Sequence, residues 1–167
     1  MKAVKKLLAL VLASALALTL LTGCGGGGGS GSTITVNGQT LTTNKAEIGD
    51  FEKAFENKMA QNGFKNVTYS VEMTNLLEKA LKEGAKQSNT ATQATTNYVG
   101  MSGAAYLGNP NWADIADTVV VGFVQLAAKD NVDFAGQSYG YMRLTEPKSG
   151  ATEIIVLIGG NQKSVVA

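Results

Sequence analysis

The run Ile154-Ile155-Val156-Leu157-Ile158 is apolar at five consecutive positions. Side chains alternate between the two faces of a strand, so a strand with no polar alternate position must be covered by protein on both sides. A second extended run, from Ser138 to Thr145, precedes it. Pro147-Lys148-Ser149-Gly150 between the two has proline and glycine where a tight turn needs them. The expected architecture is therefore α+β: an α-β-α sandwich with three main helices around a small antiparallel sheet, plus an N-terminal β-hairpin.

Three segments supply the helices. Asn44 with Glu47 three residues on has the form of an N-cap with a reciprocal acidic partner. Ile48, Phe51, Phe55 and Met59 then make one apolar stripe, and Gly63 is placed to end the helix in a left-handed conformation. Ser70 offers a cap for a second helix, with Met73, Leu77, Ala80 and Gly84 on one face, Leu76 and Leu81 flanking it, and Glu78 and Lys82 paired on the exposed side. Asn109-Pro110 reads as a cap and first helical position for a third, whose stripe is Trp112, Ile115, Val119, Phe123 and Leu126. Ala116, Val120, Val121 and Val124 on its other flank call for cover on a second face.

Asn37-Gly38 lies between two short β-branched runs and suits a type I′ turn, which sets Ile34 opposite Leu41 and Val36 opposite Gln39. Asn66 to Tyr69 has the residues of a very short strand. Lys86 to Asn97 is polar and lacks periodicity, so it reads as a surface loop. The small residues and glycines of Tyr98 to Asn111 predict an irregular crossing that carries Tyr98, Met101 and Tyr106.

The N-terminus follows different rules. Lys2, Lys5 and Lys6 precede an apolar stretch from Leu7 to Leu21, closed by Thr22 and Gly23, the three-part layout of a secretory signal peptide. Leu21-Thr22-Gly23-Cys24 resembles the lipobox of bacterial lipoproteins. That resemblance implies cleavage between Gly23 and Cys24 and a diacylglyceryl group, with palmitate-type chains, on the Cys24 thiol. Two acyl chains provide the two signals that stable anchoring takes, at about 0.8 kcal/mol per buried methylene. Gly25 to Ser32 has no side chain able to bury apolar surface, and as a flexible tether it spans about 15 Å. The expected division is a signal peptide over 1–23, lipidated cysteine and tether over 24–32, and one globular domain over 33–167.

Loss of Lys2, Lys5 and Lys6 leaves 11 basic residues against 13 acidic ones, so the mature chain lacks the polycationic footprint of a nucleic-acid binder. Its single cysteine permits no internal disulfide. It contains no histidine, which excludes Ser-His-Asp and Cys-His catalytic sites and histidine-containing zinc sites. No metal site or cofactor is expected. The pairs Glu78 with Glu83 and Asp114 with Asp117 fall on polar helix sides, where solvated charge is the ordinary outcome.

Arg143, the only arginine, shares one strand face with Tyr139 and Tyr141. A planar guanidinium beside aromatic rings suits a carboxylate or phosphate, or else forms an ion pair with Glu146 or Glu153 on an ordinary edge strand. Trp112 with Tyr98 and Tyr106 offers the lining of a ligand groove, or simply core. These six residues are the candidate ligand-binding set.

Gly63-Phe64-Lys65-Asn66-Val67-Thr68-Tyr69-Ser70-Val71-Glu72-Met73 is similar to the spacing G-L-x-x-L-x-W-x-x-x-L of the CAP superfamily (cysteine-rich secretory, antigen-five and pathogenesis-related proteins), with aromatic and aliphatic substitutions. Glu83 falls where that family often has an acid, and Ile154 to Gly160 resembles its closing strand. The resemblance covers about Phe51 to Gly160 and implies an extracytoplasmic α-β-α sandwich. Glu56 and Met59 replace the usual asparagine and arginine. The histidine tetrad and the Gly-Glu-Asn motif are absent, so the family's metal-associated cavity is not carried over. The expected function is a noncatalytic binding or interaction module of the cell envelope, held by its lipid on the extracytoplasmic face of an inner or outer bacterial membrane and recognising a small envelope ligand or protein partner. A carboxylate-dependent envelope hydrolase and a structural envelope protein are the alternatives.

Overall fold

The computed structural model describes residues 18–19, 32–36, 39–83 and 98–163. Cys24, the tether, the Asn37-Gly38 turn and the 86–97 loop lie outside them. Chain order is β1 (Leu18–Thr19), β2 (Thr33–Val36), β3 (Gln39–Asn44), α1 (Gly49–Gln61), β4 (Thr68–Tyr69), α2 (Val71–Glu83), β5 (Tyr98–Tyr106), α3 (Trp112–Asp130), β6 (Val132–Asp133), β7 (Ser138–Thr145) and β8 (Thr152–Gln162). The main sheet runs β1-β2-β3-β7-β8-β5 with antiparallel pairing throughout; β4 adds a parallel pairing to β7, and β6 an antiparallel one to β8.

The apolar run sits at the heart of this sheet, because β8 is flanked by β7 and β5 and every residue from Ala151 to Gly160 is buried. Alternation divides it between two cores. Ile154, Val156 and Ile158 meet Phe51, Phe55 and Phe123 of α1 and α3. Ile155 and Leu157 meet Leu77 and Leu81 of α2, together with Ile34 and Leu41 of the β2–β3 hairpin. The result is the expected α-β-α sandwich, two helices on one face and one on the other. The hairpin has the register expected from its turn, Ile34 opposite Leu41 and Val36 opposite Gln39. Gly150, at φ +72°, closes the β7–β8 turn.

One edge of β7 is divided between partners. β4 pairs with Ser138 and Tyr139, β3 pairs with Arg143 to Thr145, and the stretch between is left to α2. Thr74 fills that gap: it is 2% exposed, and its Oγ1 accepts the Tyr141 N–H at 3.3 Å. A Cβ on Gly140 would stand 2.0 Å from the Thr74 nitrogen, so only glycine lets the helix approach this closely. The buried face of α2 is therefore Thr74, Leu77, Ala80 and Leu81, with Met73 only half-buried, a shift from the stripe expected on Met73.

Several local expectations are corrected. Helix α1 starts at Gly49, not at Asn44, because Asn44 is held in β3 opposite Arg143 and spends its Oδ1 on the Ala46 N–H at 2.8 Å. Ile48 at the N-cap position has no capping side chain; its own N–H donates to Tyr141 Oη at 2.6 Å. The helix does end at Gly63, with φ +92°. Helix α3 is capped by Asn111, whose Oδ1 accepts the Ala113 N–H at 3.0 Å, two residues beyond the expected Asn109. Its second flank is only partly covered: Val120 is buried, but Val121 is 49% exposed. Tyr98 to Tyr106 is a regular nine-residue strand and not an irregular crossing. Its small residues are the means of close packing: Ser102 Oγ fits beneath Gly122 of α3 and donates to the Val119 carbonyl at 2.8 Å.

Candidate functional site

Alternation along β7 turns Tyr139, Tyr141 and Arg143 toward α1, as expected from their spacing. β7 is an interior strand, however, and the two tyrosine rings are core, 0% and 2% exposed. Tyr139 lies 4.6 Å from the Phe55 ring and Tyr141 lies 5.0 Å from Phe51. Only their hydroxyls reach polar partners. Tyr139 Oη donates to Glu56 Oε1 at 3.0 Å, and Tyr141 Oη donates to Glu52 Oε1 at 2.7 Å while accepting from Ile48. Burial, followed by the adjacent carboxylates, drives both phenols far above their ordinary range. They remain protonated donors and cannot act as bases.

Further along the same face Trp112 bridges two rings, 6.1 Å from Phe51 and 5.6 Å from Tyr106, both edge-on. Burial raises the Tyr106 phenol, and the neighbouring Arg143 guanidinium opposes that rise. Arg143 keeps its Nε buried without a hydrogen-bond partner. Its expected ion pairs do not form. Glu146 bonds Ser149, and Glu153 points to the opposite face of the sheet. The structure thus gathers Tyr106, Trp112, Tyr139, Tyr141 and Arg143 along α1. Tyr98 stands apart, about 27 Å from Tyr106 along β5 at roughly 3.4 Å per residue. There its hydroxyl donates to Asp130 Oδ2 at 2.6 Å and its ring meets Phe134.

The most unusual group is one the sequence raised only as an arginine partner. Glu153 is 0% exposed, opposite Leu144 on β7 and Ala105 on β5, and neither carboxylate oxygen has a hydrogen-bond partner. Burial alone pushes it from an ordinary 4.5 up to about 8. Its Oε1 extends over Gly103, where a Cβ would come within 2.8 Å of it. The sequence signal is a charged residue immediately before a run that must be buried on both faces.

The described members of the two carboxylate pairs behave as ordinary surface charge. Glu78 is tied to Lys45 at 2.5 Å and Lys82 at 2.8 Å; Asp114 is exposed, and Asp117 pairs with Lys58 at 3.2 Å. The Glu83 side chain lies outside the described set. Among the described residues no cluster of three acidic or cysteine side chains is placed to hold a metal. An open groove of about 510 Å³ lies where the C-termini of α1 and α3 meet, between Phe64, Ala127 and Lys163. No helix among the described residues is long and apolar enough to cross a membrane. Comparison with known proteins gives no family model, no curated protein and no solved structure that matches this chain.

Proposed function

We propose that this chain is a bacterial lipoprotein, anchored through Cys24 on the extracytoplasmic side of a membrane, whose folded domain is a noncatalytic ligand-binding module of the cell envelope. The observation that carries the anchor is the sequence Leu21-Thr22-Gly23-Cys24 behind a basic start and an apolar run. What supports binding over catalysis is the state of the polar groups on the α1 face: Glu52 and Glu56 already accept tyrosine hydroxyls, and those hydroxyls are locked as donors. A distant kinship with the CAP superfamily rests on the Gly63–Met73 spacing and on the layer order of helices about the β7–β8 hairpin.

Expression of wild-type chain and Cys24→Ser in a bacterium fed labelled palmitate tests the anchor. Wild type is expected as a processed, labelled band in the membrane fraction, and the variant as unlabelled precursor. A Cys24→Ser chain still processed and acylated, or wild type released with a free thiol, overturns the reading.

A further inference from the structure

Glu153 has no structural task that explains it. Its carboxylate makes no hydrogen bond, it stands in the β8 strand between two apolar neighbours, and its burial is complete. An unpaired carboxyl group in such surroundings is costly, and a chain assembled only for stability would hold a leucine or valine there. The residues around it accommodate it all the same. Gly103 interrupts the middle of a nine-residue strand at the one point where a methyl group would strike Glu153 Oε1 at 2.8 Å and the Ile154 carbonyl at 2.9 Å. Glycine inside a strand costs stability and marks a place where something must approach closely.

We propose that Glu153 is the recognition group of a ligand site on the α2 face of the sheet, over Gly103, and that its ligand is a primary alkylammonium: a cationic head with an apolar body. This names the site and ligand class of the binding module proposed above and rests on that reading. One carboxylate with apolar walls suits an ammonium ion. Divalent cations require more oxygen ligands than one side chain supplies, and an anion would be repelled. The apolar body has the half-buried Met101 and Ala105 of β5 to lie on. Access runs along β5, the outermost strand, where Met101, Gly103 and Ala105 are only half-buried.

Among the described residues the facing elements bring no compensating charge. On this face β5 offers Met101, Gly103 and Ala105, β7 offers Met142 and Leu144, and β3 offers Leu41 and Thr43, none of them ionisable. Of the described charged side chains on α2, Glu78 is paired with both Lys45 and Lys82, while Glu72 and Lys79 are exposed. Near neutral pH the free carboxyl group holds its proton. Binding of an ammonium restores the carboxylate and sends that proton to the buffer.

The test uses the full chain in a neutral sugar detergent and three probes of one length: hexylammonium, hexanol and hexanoate. Calorimetry at pH 6.5 in two buffers of different ionisation enthalpy reads affinity and proton release, and the Met101 methyl resonance reports location. Wild type is expected to bind hexylammonium with close to one proton released and a Met101 shift. Glu153→Gln should weaken it by at least about tenfold, a loss of about 1.4 kcal/mol, and Glu153→Asp, which keeps the charge one methylene short, should fall between. Equal hexylammonium affinity in wild type and Glu153→Gln overturns the proposal. Hexanol or hexanoate binding without hexylammonium binding overturns the site and leaves the binding module standing. Binding of none of the three removes both.

Discussion

Glu153 makes the fold's stability depend on pH in an unusual direction. Its carboxyl ionises near 4.5 when the chain is unfolded and at about 8 when folded, because burial disfavours the anion. Between those values the folded state holds a proton that the unfolded state has lost, so stability falls as pH rises. The slope is at most about 1.4 kcal/mol per pH unit, giving a loss of about 3 kcal/mol from pH 4.5 to 7 and about 4 kcal/mol by pH 8, after which it levels off. Glu153→Gln has nearly the same shape and cannot ionise. Urea unfolding of both proteins at several pH values from 4 to 9 therefore isolates this group, since contributions common to both cancel in the difference. The variant should gain on wild type steadily through that window. A difference that stays constant with pH would mean that Glu153 is solvated or paired in the native protein, and the description of its site would be wrong.

Two further substitutions probe how the layers are joined. Tyr141→Phe removes a hydroxyl that donates to Glu52 and caps the Ile48 N–H, so it should cost about 2 kcal/mol in urea unfolding while leaving the ring packing intact; a cost below about 0.5 kcal/mol would show that water replaces the hydroxyl at no loss. Gly140→Ala drives a methyl group into the backbone of α2 at Thr74 and should cost about 3 kcal/mol or prevent folding, read by far-UV circular dichroism and thermal unfolding. An unaltered midpoint would place α2 further from β7 than described.

What the sequence disclosed is what short-range pattern determines. Ile154 to Ile158 could be recognised as doubly covered because five adjacent apolar residues leave no polar face, and the hairpin register followed from two turn residues. The stripes of α1 and α3 followed from their spacing, while that of α2 is turned toward Thr74 by its contact with Gly140. Features that depend on distant partners were hidden. Nothing near Glu52 or Glu56 announces that a tyrosine 89 or 83 residues away will seek its carboxylate. Nothing near Ile48 shows that its N–H will be capped by a side chain from another strand. Along β5 glycine signals a turn locally, whereas Gly103 answers to Glu153 and Ser102 fits beneath Gly122, contacts made only after the chain has folded.

The pairing of Leu18 and Thr19 with Thr35 and Val36 places part of the apolar leader alongside the hairpin. If the leader is cut at Cys24, export itself strips that neighbour away. The backbone amides and carbonyls along the outer side of Thr33 to Val36 are then left open to another extended chain. On the lipoprotein reading proposed above, maturation would then uncover a sticky margin as well as free the cysteine for its lipid.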